Sequence, residues 1–214
     1  VVWTLAAEEV IFIGRLMNTG KVDLTRTIAV AGSEIKEPGY AKVKVGQCIC
    51  TLLKGQLDEA KSLRIIGGNV MTGRKLQNPD FLPAHATELT VIPEGDDVHE
   101  MLGWILPRFS EFSTSRSYFS WLCPKKEFAL DARIKGGERH MIMSGEYERV
   151  LPMDICAEQL VKAIIAGDID KMEALGIYEV APEDFALCEF VCSSKVPVQQ
   201  IVRDGLDMLR KEMA

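Results

Sequence analysis

The spacing of the apolar residues changes near Pro152, and this change constrains the fold strongly. Before Pro152, short apolar runs such as residues 27–31 and 41–45 alternate with Gly- and Pro-rich segments, which is typical of strands joined by turns. After it, apolar residues recur every three or four positions, as at 157–165, which is typical of packed helices. The sequence therefore predicts an α+β fold, with a sheet domain followed by a helical bundle.

The predicted elements divide the chain into four parts. They are a helix at 7–18 with one buried side, strands at 27–31, 41–45, 63–68 and 85–93, a helix at 47–57, and a β-hairpin formed by 128–134 and 140–144. The parts are a helical lead-in cut from a preceding domain at 1–24, a sheet domain at 25–95, a connecting region with the hairpin at 96–150, and a helical bundle at 151–214. A strand-like start without methionine suggests that the chain was cut from a longer protein.

A Gly- and Pro-rich turn joins the first two predicted strands. Pro38 and Gly39 suit the central pair of a type II turn, because proline presets φ and glycine accepts a positive φ. With its flanking strands, this turn resembles the motif of the soluble-ligand-binding β-grasp domains, which implies a β-grasp fold for residues 25–95. The residues that carry the resemblance are Val30, Gly32, Pro38, Gly39, Tyr40, Val43 and Gly46.

Cys188 and Cys192 match the second half of a bacterial iron–sulfur motif, in which thiolates hold a cluster. The two preceding ligand positions hold Pro182 and Phe185, neither of which binds iron. On a helix starting at Pro182, the two thiols share one apolar face with Phe185, so they also suit a packed core. A metal would need further ligands, and Cys156 could supply one.

Composition and motif content argue against several function classes. The net charge of −6 and the lack of a basic block argue against a nucleic-acid partner. No run of about 18 apolar residues occurs, so no membrane-spanning helix is predicted. Residues 68–75 resemble a phosphate-binding loop without its Ser or Thr, and a turn is the better interpretation. The sequence contains no catalytic set and no histidine-based metal motif.

Aromatic residues are frequent between positions 103 and 121. Only Arg108 and Arg116 accompany them, so packing or a protein-binding surface explains them better than base stacking does. Aromatic residues are enriched at protein interfaces. The predicted partner interface consists of Trp104, Arg108, Tyr118 and Trp121.

Four segments, at 103–107, 136–139, 145–155 and 184–195, resemble the A subunit of the bacterial sodium-translocating NADH:quinone oxidoreductase. The resemblance runs along the whole chain and covers roughly the C-terminal half of the family's protein. That protein is similar to the C subunit of the Rnf complex, whose helical bundle binds iron–sulfur clusters. The comparison places cluster ligands at 153, 156, 159, 163, 182, 185, 188 and 192. Cysteine remains only at the relic positions Cys156, Cys188 and Cys192, which implies that neither cluster forms.

The resemblance implies a peripheral protein on the cytoplasmic face of the bacterial inner membrane. It would belong to a redox pump that passes electrons from NADH to ubiquinone or menaquinone and exports Na⁺. The NADH, flavins, iron centre and quinone that the complex uses would bind to other subunits. The membrane-embedded B subunit would be the chief partner of this chain, and quinone is a second candidate partner. The chain itself would be a non-catalytic scaffold near the quinone region. The alternatives are an iron–sulfur electron carrier and a stand-alone β-grasp module that binds a soluble ligand.

Overall fold

The computed structural model describes residues 2–58, 60–96, 107–113, 116–123, 125–134 and 137–213. The chain divides into two compact units, Val1–Arg133 and Ile134–Ala214, each with its own hydrophobic core. A sheet dominates the first unit and helices dominate the second, so the predicted α+β class is confirmed. No helix in this described part of the chain combines the length and the apolar character needed to cross a bilayer.

The first unit contains a five-stranded mixed sheet. Its strands are β1 (Thr25–Ala31), β2 (Gly39–Lys44), β3 (Leu63–Gly67), β4 (Arg74–Leu76) and β5 (Glu88–Pro93). They lie in the order β2-β1-β5-β3-β4, with β1 and β5 parallel and the other neighbours antiparallel. Helix α1 (Ala7–Thr19) precedes β1, and α2 (Ile49–Leu52) is much shorter than the helix predicted at 47–57.

The turn between β1 and β2 brings the backbone of Gly32 against β5. Gly32 has φ 122°, and a Cβ atom placed there would overlap the backbone of Val91. Gly39 does not have a positive φ, because it pairs with Val30 as the first residue of β2. The predicted type II turn, which needs a positive φ at Gly39, is therefore wrong.

Helix α1 ends as predicted but does not bury an apolar side. Gly20 adopts the left-handed conformation at φ 67° after its last turn, and none of the helix residues is buried. Polar contacts hold the helix to its unit instead: the buried Arg26 side chain donates to the carboxylate of Glu8 at 3.2 Å. Val10, Ile13 and Met17 lie on a different side of the helix and are exposed. The predicted buried side is therefore not buried by any of the residues that the structure describes.

The second unit consists of short helices around one core. They are α3 (Ala157–Ala166), α4 (Ile169–Ala174), α5 (Ala186–Val191) and α6 (Val198–Glu212), with 3₁₀ turns at Ile177–Glu179 and Pro182–Phe185. Tyr147 and Leu151 belong to the same core, so the unit includes residues before the predicted boundary at 151. Helix α3 ends at Gly167 in the left-handed conformation (φ 68°), as its sequence predicts.

The predicted β-hairpin at 128–134 and 140–144 does not form. All residues of both segments are described, and none of them lies in a strand. Residues 128–133 of the first segment belong to the first unit, whereas residue 134 and the whole second segment belong to the other. Ala132 donates its N–H to Pro93 O in the first unit, whereas the N–H of Arg139, just before the second segment, goes to Ser194 O in the other.

Adding a methyl group at two helical glycines is expected to change the free energy of unfolding in opposite directions. A Cβ atom at Gly205 in α6 would lie 2.8 Å from Cγ2 of Ile164 in α3. We expect Gly205→Ala to lower the free energy of unfolding by about 1 kcal/mol, because overpacking outweighs the better helix propensity of alanine. Gly14 in α1 has nothing within 4 Å of the position that a Cβ atom would take. Gly14→Ala should raise the free energy of unfolding by up to about 1 kcal/mol.

Urea unfolding of the two variants measures both effects. A gain in stability for Gly205→Ala, equal to that of Gly14→Ala, would show that Ile164 gives way without cost and would contradict the expectation.

Candidate functional site

The thiols of Cys188 and Cys192 lie in the core of the second unit. Their exposed fractions are 0% and 2%. Tyr147 Oη donates a hydrogen bond to Cys192 Sγ at 3.0 Å, and Cys188 Sγ donates one to the backbone oxygen of Tyr147 at 3.8 Å. Phe185 is fully buried in the same core. The apolar face predicted for these residues is therefore a packed face.

This environment keeps the Cys188 thiol protonated at neutral pH. Burial, and then the charge of Glu148, raise the pKa of Cys188 to about 11. Burial, followed by the hydrogen bond to Cys192, raises the pKa of Tyr147 above its ordinary value. Metals bind the thiolate form, so a thiol with a raised pKa is a poor ligand. The arrangement suits packing rather than iron binding.

The third relic position is not part of this buried group. Cys156 is exposed at the residue preceding α3, whereas Cys188 and Cys192 are buried. Over the stretches of chain that the structure describes, no group of three or more His, Cys, Asp or Glu side chains could hold a metal ion. The other positions of the cluster pattern are occupied by Met153, Gln159, Ala163, Pro182 and Phe185.

Glu158 is an important residue that was not predicted from the sequence. Its exposed fraction is only 2%. Its Oε1 atom accepts hydrogen bonds from Ser144 N at 3.1 Å, Ser144 Oγ at 3.0 Å and Gly145 N at 2.6 Å. Its own backbone N–H donates to the carboxylate of Glu148 at 3.1 Å. These contacts join the start of α3 to residues 144–148, so the family-like segment at 145–155 has a structural role. A glutamate in the first turn of a predicted helix was the available signal.

Removing this carboxylate should destabilise the second unit. We expect Glu158→Ala to lower the free energy of unfolding by about 2–3 kcal/mol, because three donors lose a charged acceptor. Glu158→Gln keeps an acceptor oxygen of the same shape and should cost about 1 kcal/mol. Thermal unfolding followed by circular dichroism distinguishes the two variants. Equal losses would show that the negative charge, which both variants remove, accounts for the whole effect, and would contradict the expected contribution of the acceptor oxygen.

The structure brings Arg108 and Tyr118 of the predicted interface together. The guanidinium of Arg108 lies over the Tyr118 ring, 5.3 Å from its centroid, and Nη1 is 2.6 Å from Glu111 Oε2. Only 11% of the Arg108 side chain is exposed. Arg108 therefore stabilises its own segment, and reversing its charge would disturb local structure as well as any interface.

An exposed apolar surface lies near these residues. Trp121 is 52% exposed within the 3₁₀ turn Phe119–Leu122, and Phe119 and Leu122 are exposed beside it. The ring centroids of Phe109 and Phe119 are 5.9 Å apart. Exposed apolar patches of this kind are typical of protein interaction sites. Trp104, the fourth residue of the predicted interface, lies outside the described residues.

The turn predicted to mark a soluble-ligand site is exposed. Tyr40 is 85% exposed, and Pro38 and Gly39 are exposed beside it. Gly32 of the same motif is explained by its contact with the Val91 backbone rather than by a ligand. The close approach of the backbones thus accounts for a glycine at position 32, and the exposed turn weighs against a stand-alone ligand-binding module.

The segment that resembles a phosphate-binding loop is a turn followed by a strand. Asn69 Oδ1 accepts hydrogen bonds from the backbone N–H groups of Met71 and Thr72, at 2.8 Å each. Arg74 and Lys75 then belong to β4. The interpretation of this segment as a turn agrees with the structure.

Comparisons with known proteins show which proteins the chain is similar to. The model of the NQRA C-terminal domain matches residues 27–78, which contain most of β1 and all of β2, β3 and β4. Over 212 residues, or 99% of the chain, the sequence is 38% identical to the A subunit of the Na(+)-translocating NADH-quinone reductase of Rhodopirellula baltica and 36% identical to that of Pasteurella multocida. The aligned region covers 46% and 47% of these proteins, so the chain spans about half their length. The chain is therefore related, over nearly its whole length, to half of the A subunit of the Na(+)-translocating NADH-quinone reductases, which confirms the resemblance found in its sequence.

Proposed function

We propose that the chain is a scaffold within a Na⁺-translocating NADH–quinone reductase and carries no redox centre of its own. The observation that carries this proposal is the similarity, over 99% of the chain, to proteins named as the A subunit of that enzyme. The chain matches about half of the A subunit, and we assign it the role of that half. Electron transfer from NADH to quinone then belongs to the assembled complex.

The buried thiols support a role without a redox centre. Cys188 and Cys192 fill the core, Tyr147 engages Cys192 with a hydrogen bond, and burial raises the pKa of Cys188. A cluster at these sulfurs would need deprotonation of both thiols and displacement of the tyrosine hydroxyl. The relic assignment of Cys156, Cys188 and Cys192 explains why this family-like region holds two cysteines in a core and a third at the exposed residue before α3.

In this proposal the chain lies on the cytoplasmic face of the inner membrane and docks on the membrane-embedded B subunit. NADH, flavins, an iron centre and quinone bind to other subunits, and this chain shapes the quinone region. The exposed group Phe119, Trp121 and Leu122 is the proposed docking surface, because it combines aromatic and apolar side chains in one turn. The names of the relatives, which describe one component of a quinone reductase, support partners of this class.

The sheet unit is proposed to be a β-grasp domain of the soluble-ligand-binding type. The sheet order β2-β1-β5-β3-β4, with the first and last strands parallel at its centre, supports this assignment. Residues 1–24 are proposed as a lead-in that packs on a preceding domain. The exposed apolar stripe of Val10, Ile13 and Met17 supports that role, because apolar helix faces are usually covered by a partner.

Assembly of the complex tests the docking surface. Trp121→Ala combined with Leu122→Ala should reduce co-purification with the B subunit by at least about tenfold, because buried aromatic anchors dominate interface energies. The matched control is Ile165→Ala, which removes an exposed apolar side chain from α3 in the other unit. Unchanged assembly of the double variant, with unchanged thermal unfolding, would rule out this surface.

The purified chain tests the lack of a redox centre. It should oxidise no NADH in the presence of added quinone, and anaerobic reconstitution with iron and sulfide should leave it colourless and iron-free. Stoichiometric iron with visible cluster absorbance that disappears in Cys188→Ala would overturn the scaffold proposal in favour of an electron carrier.

A further inference from the structure

Cys48 and Cys50 form a second pair of thiols, distant in sequence from the relic positions. Cys48 immediately precedes α2 and Cys50 is the second residue of that helix. Cys48 is partly exposed and Cys50 is exposed, in contrast to the buried Cys188 and Cys192. The scaffold role proposed above uses neither residue, so the pair needs a separate explanation.

The backbone places the two residues within reach of a disulfide. Ile49, between them, is helical, so their Cα atoms are about 5.4 Å apart by helix geometry. Disulfides span Cα separations of about 4.4–6.8 Å. Inside a helix, side chains two positions apart diverge. Cys48 has an extended backbone (φ −64°, ψ 129°) outside the helix, so this restriction does not apply to it.

The two thiols influence each other's protonation. Hydrogen bonding with the Cys50 thiol, followed by the Cys50 backbone N–H, lowers the pKa of Cys48. The same interaction with Cys48 raises the pKa of Cys50. The pair therefore contains one thiol that ionises more readily and a neighbour that remains protonated, an arrangement that favours attack by Cys48.

The geometry points to a redox-active dithiol, Cys48 and Cys50, that hydroperoxides oxidise to an intramolecular disulfide. The Cys48 thiolate attacks one peroxide oxygen, the O–O bond breaks, and a sulfenic acid and one water or alcohol result after protonation. The Cys50 sulfur then attacks the Cys48 sulfur and forms the S–S bond, and the Cys50 proton leaves with the sulfenic hydroxyl as water. Two cysteines lose two electrons and two protons in total, and the peroxide is reduced. A dithiol reductant reverses the reaction.

Intact-mass and thiol measurements test this pair. The experiment uses the whole chain with Cys123→Ser and Cys156→Ser, which removes the two other exposed thiols. Hydrogen peroxide at low molar excess should remove two titratable thiols and two hydrogens per chain, and dithiothreitol should restore both. Peptide mapping should place the bond between Cys48 and Cys50. With Cys50→Ser added, the disulfide cannot close, and dimedone should trap the sulfenic acid on Cys48.

Three results would overturn the inference. The first is retention of both thiols under conditions that oxidise a free-cysteine peptide. The second is conversion of Cys48 to sulfinic acid while Cys50 remains reduced. The third is a disulfide that joins two chains instead of closing within one, as non-reducing electrophoresis would reveal. Because the Ser variants keep the size of the side chains, unchanged circular dichroism ensures that the comparison concerns folded protein.

Discussion

Replacing Gly32 by alanine is expected to destabilise the sheet unit strongly. The residue has φ 122°, which L side chains rarely adopt, and its Cβ atom would overlap the backbone of Val91 in β5. Backbone atoms of a central strand cannot rotate away, so the turn must move or the β1–β5 pairing must break. We expect a loss of about 4 kcal/mol or more, which is a large part of the stability of an ordinary domain.

Gly39→Ala is the matched control for this variant. Gly39 lies at the other end of the same turn, has nothing within 4 Å of a Cβ position, and does not have a positive φ. Its replacement should change the free energy of unfolding by less than about 0.5 kcal/mol. Hydrogen exchange of the amides in β1 and β5 reports on the sheet directly. Full protection of those amides in Gly32→Ala would contradict the predicted clash.

Truncating Phe185 is expected to cost the second unit about 3–5 kcal/mol. Among the described residues its side chain is the largest of the fully buried ones, and it belongs to the core that holds Cys188 and Cys192. Phe185→Ala loses the transfer free energy of the ring and leaves a cavity that short helices fill only in part. Thermal unfolding of the purified chain measures the loss.

Leu187→Ala is the control for Phe185→Ala. Leu187 lies two residues further along the chain in α5 and is 48% exposed, so its truncation removes little buried area. We expect a change of at most about 1 kcal/mol. Losses of similar size in the two variants would contradict the assignment of Phe185 as a core anchor.

Strong periodic patterns made most of the sheet predictable. The predicted strands at 27–31, 41–45 and 63–68 overlap β1, β2 and β3, and the strand predicted at 85–93 ends where β5 ends. Each contains apolar residues that the sheet buries, so the pattern carries the information. Strand β4 was not predictable, because only Leu76 of its three residues is buried and its charged partners are typical of a sheet edge.

Long-range contacts caused the main errors. The apolar stripe of α1 predicted a buried side, but the polar contact of Glu8 with Arg26 holds the helix and leaves the stripe exposed. The hairpin failed because nearly all of its first segment and the whole of its second belong to different units. The local sequence pattern reveals neither the contact of Glu8 with Arg26 nor the division of the chain into two units. The same limit applies to Glu158, whose acceptor role depends on residues 144–145 folding back onto α3.

The shared buried face of the site could be predicted from the sequence, but its hydrogen-bond partners could not. Helical spacing alone indicated that Cys188 and Cys192 share a face with Phe185, and all three are buried. The sequence could not reveal the tyrosine hydroxyl on Cys192, since Tyr147 is 45 residues away. Nor could it show that Arg108, selected for an interface, is largely covered and paired with Glu111.

The hydrogen bond from Tyr147 to Cys192 also limits how this protein can evolve. A cluster at these sulfurs would require cysteines at Pro182 and Phe185, both of which are buried. Each replacement alone removes buried side-chain contacts and so lowers the stability of the unit. Neither completes a set of ligands for a metal while the Tyr147 hydroxyl donates a hydrogen bond to Cys192 Sγ. Every single-step intermediate is thus less stable without a compensating cofactor. Under the relic assignment proposed above, loss of the cluster is a one-way step, and further variation is confined to a packed bundle.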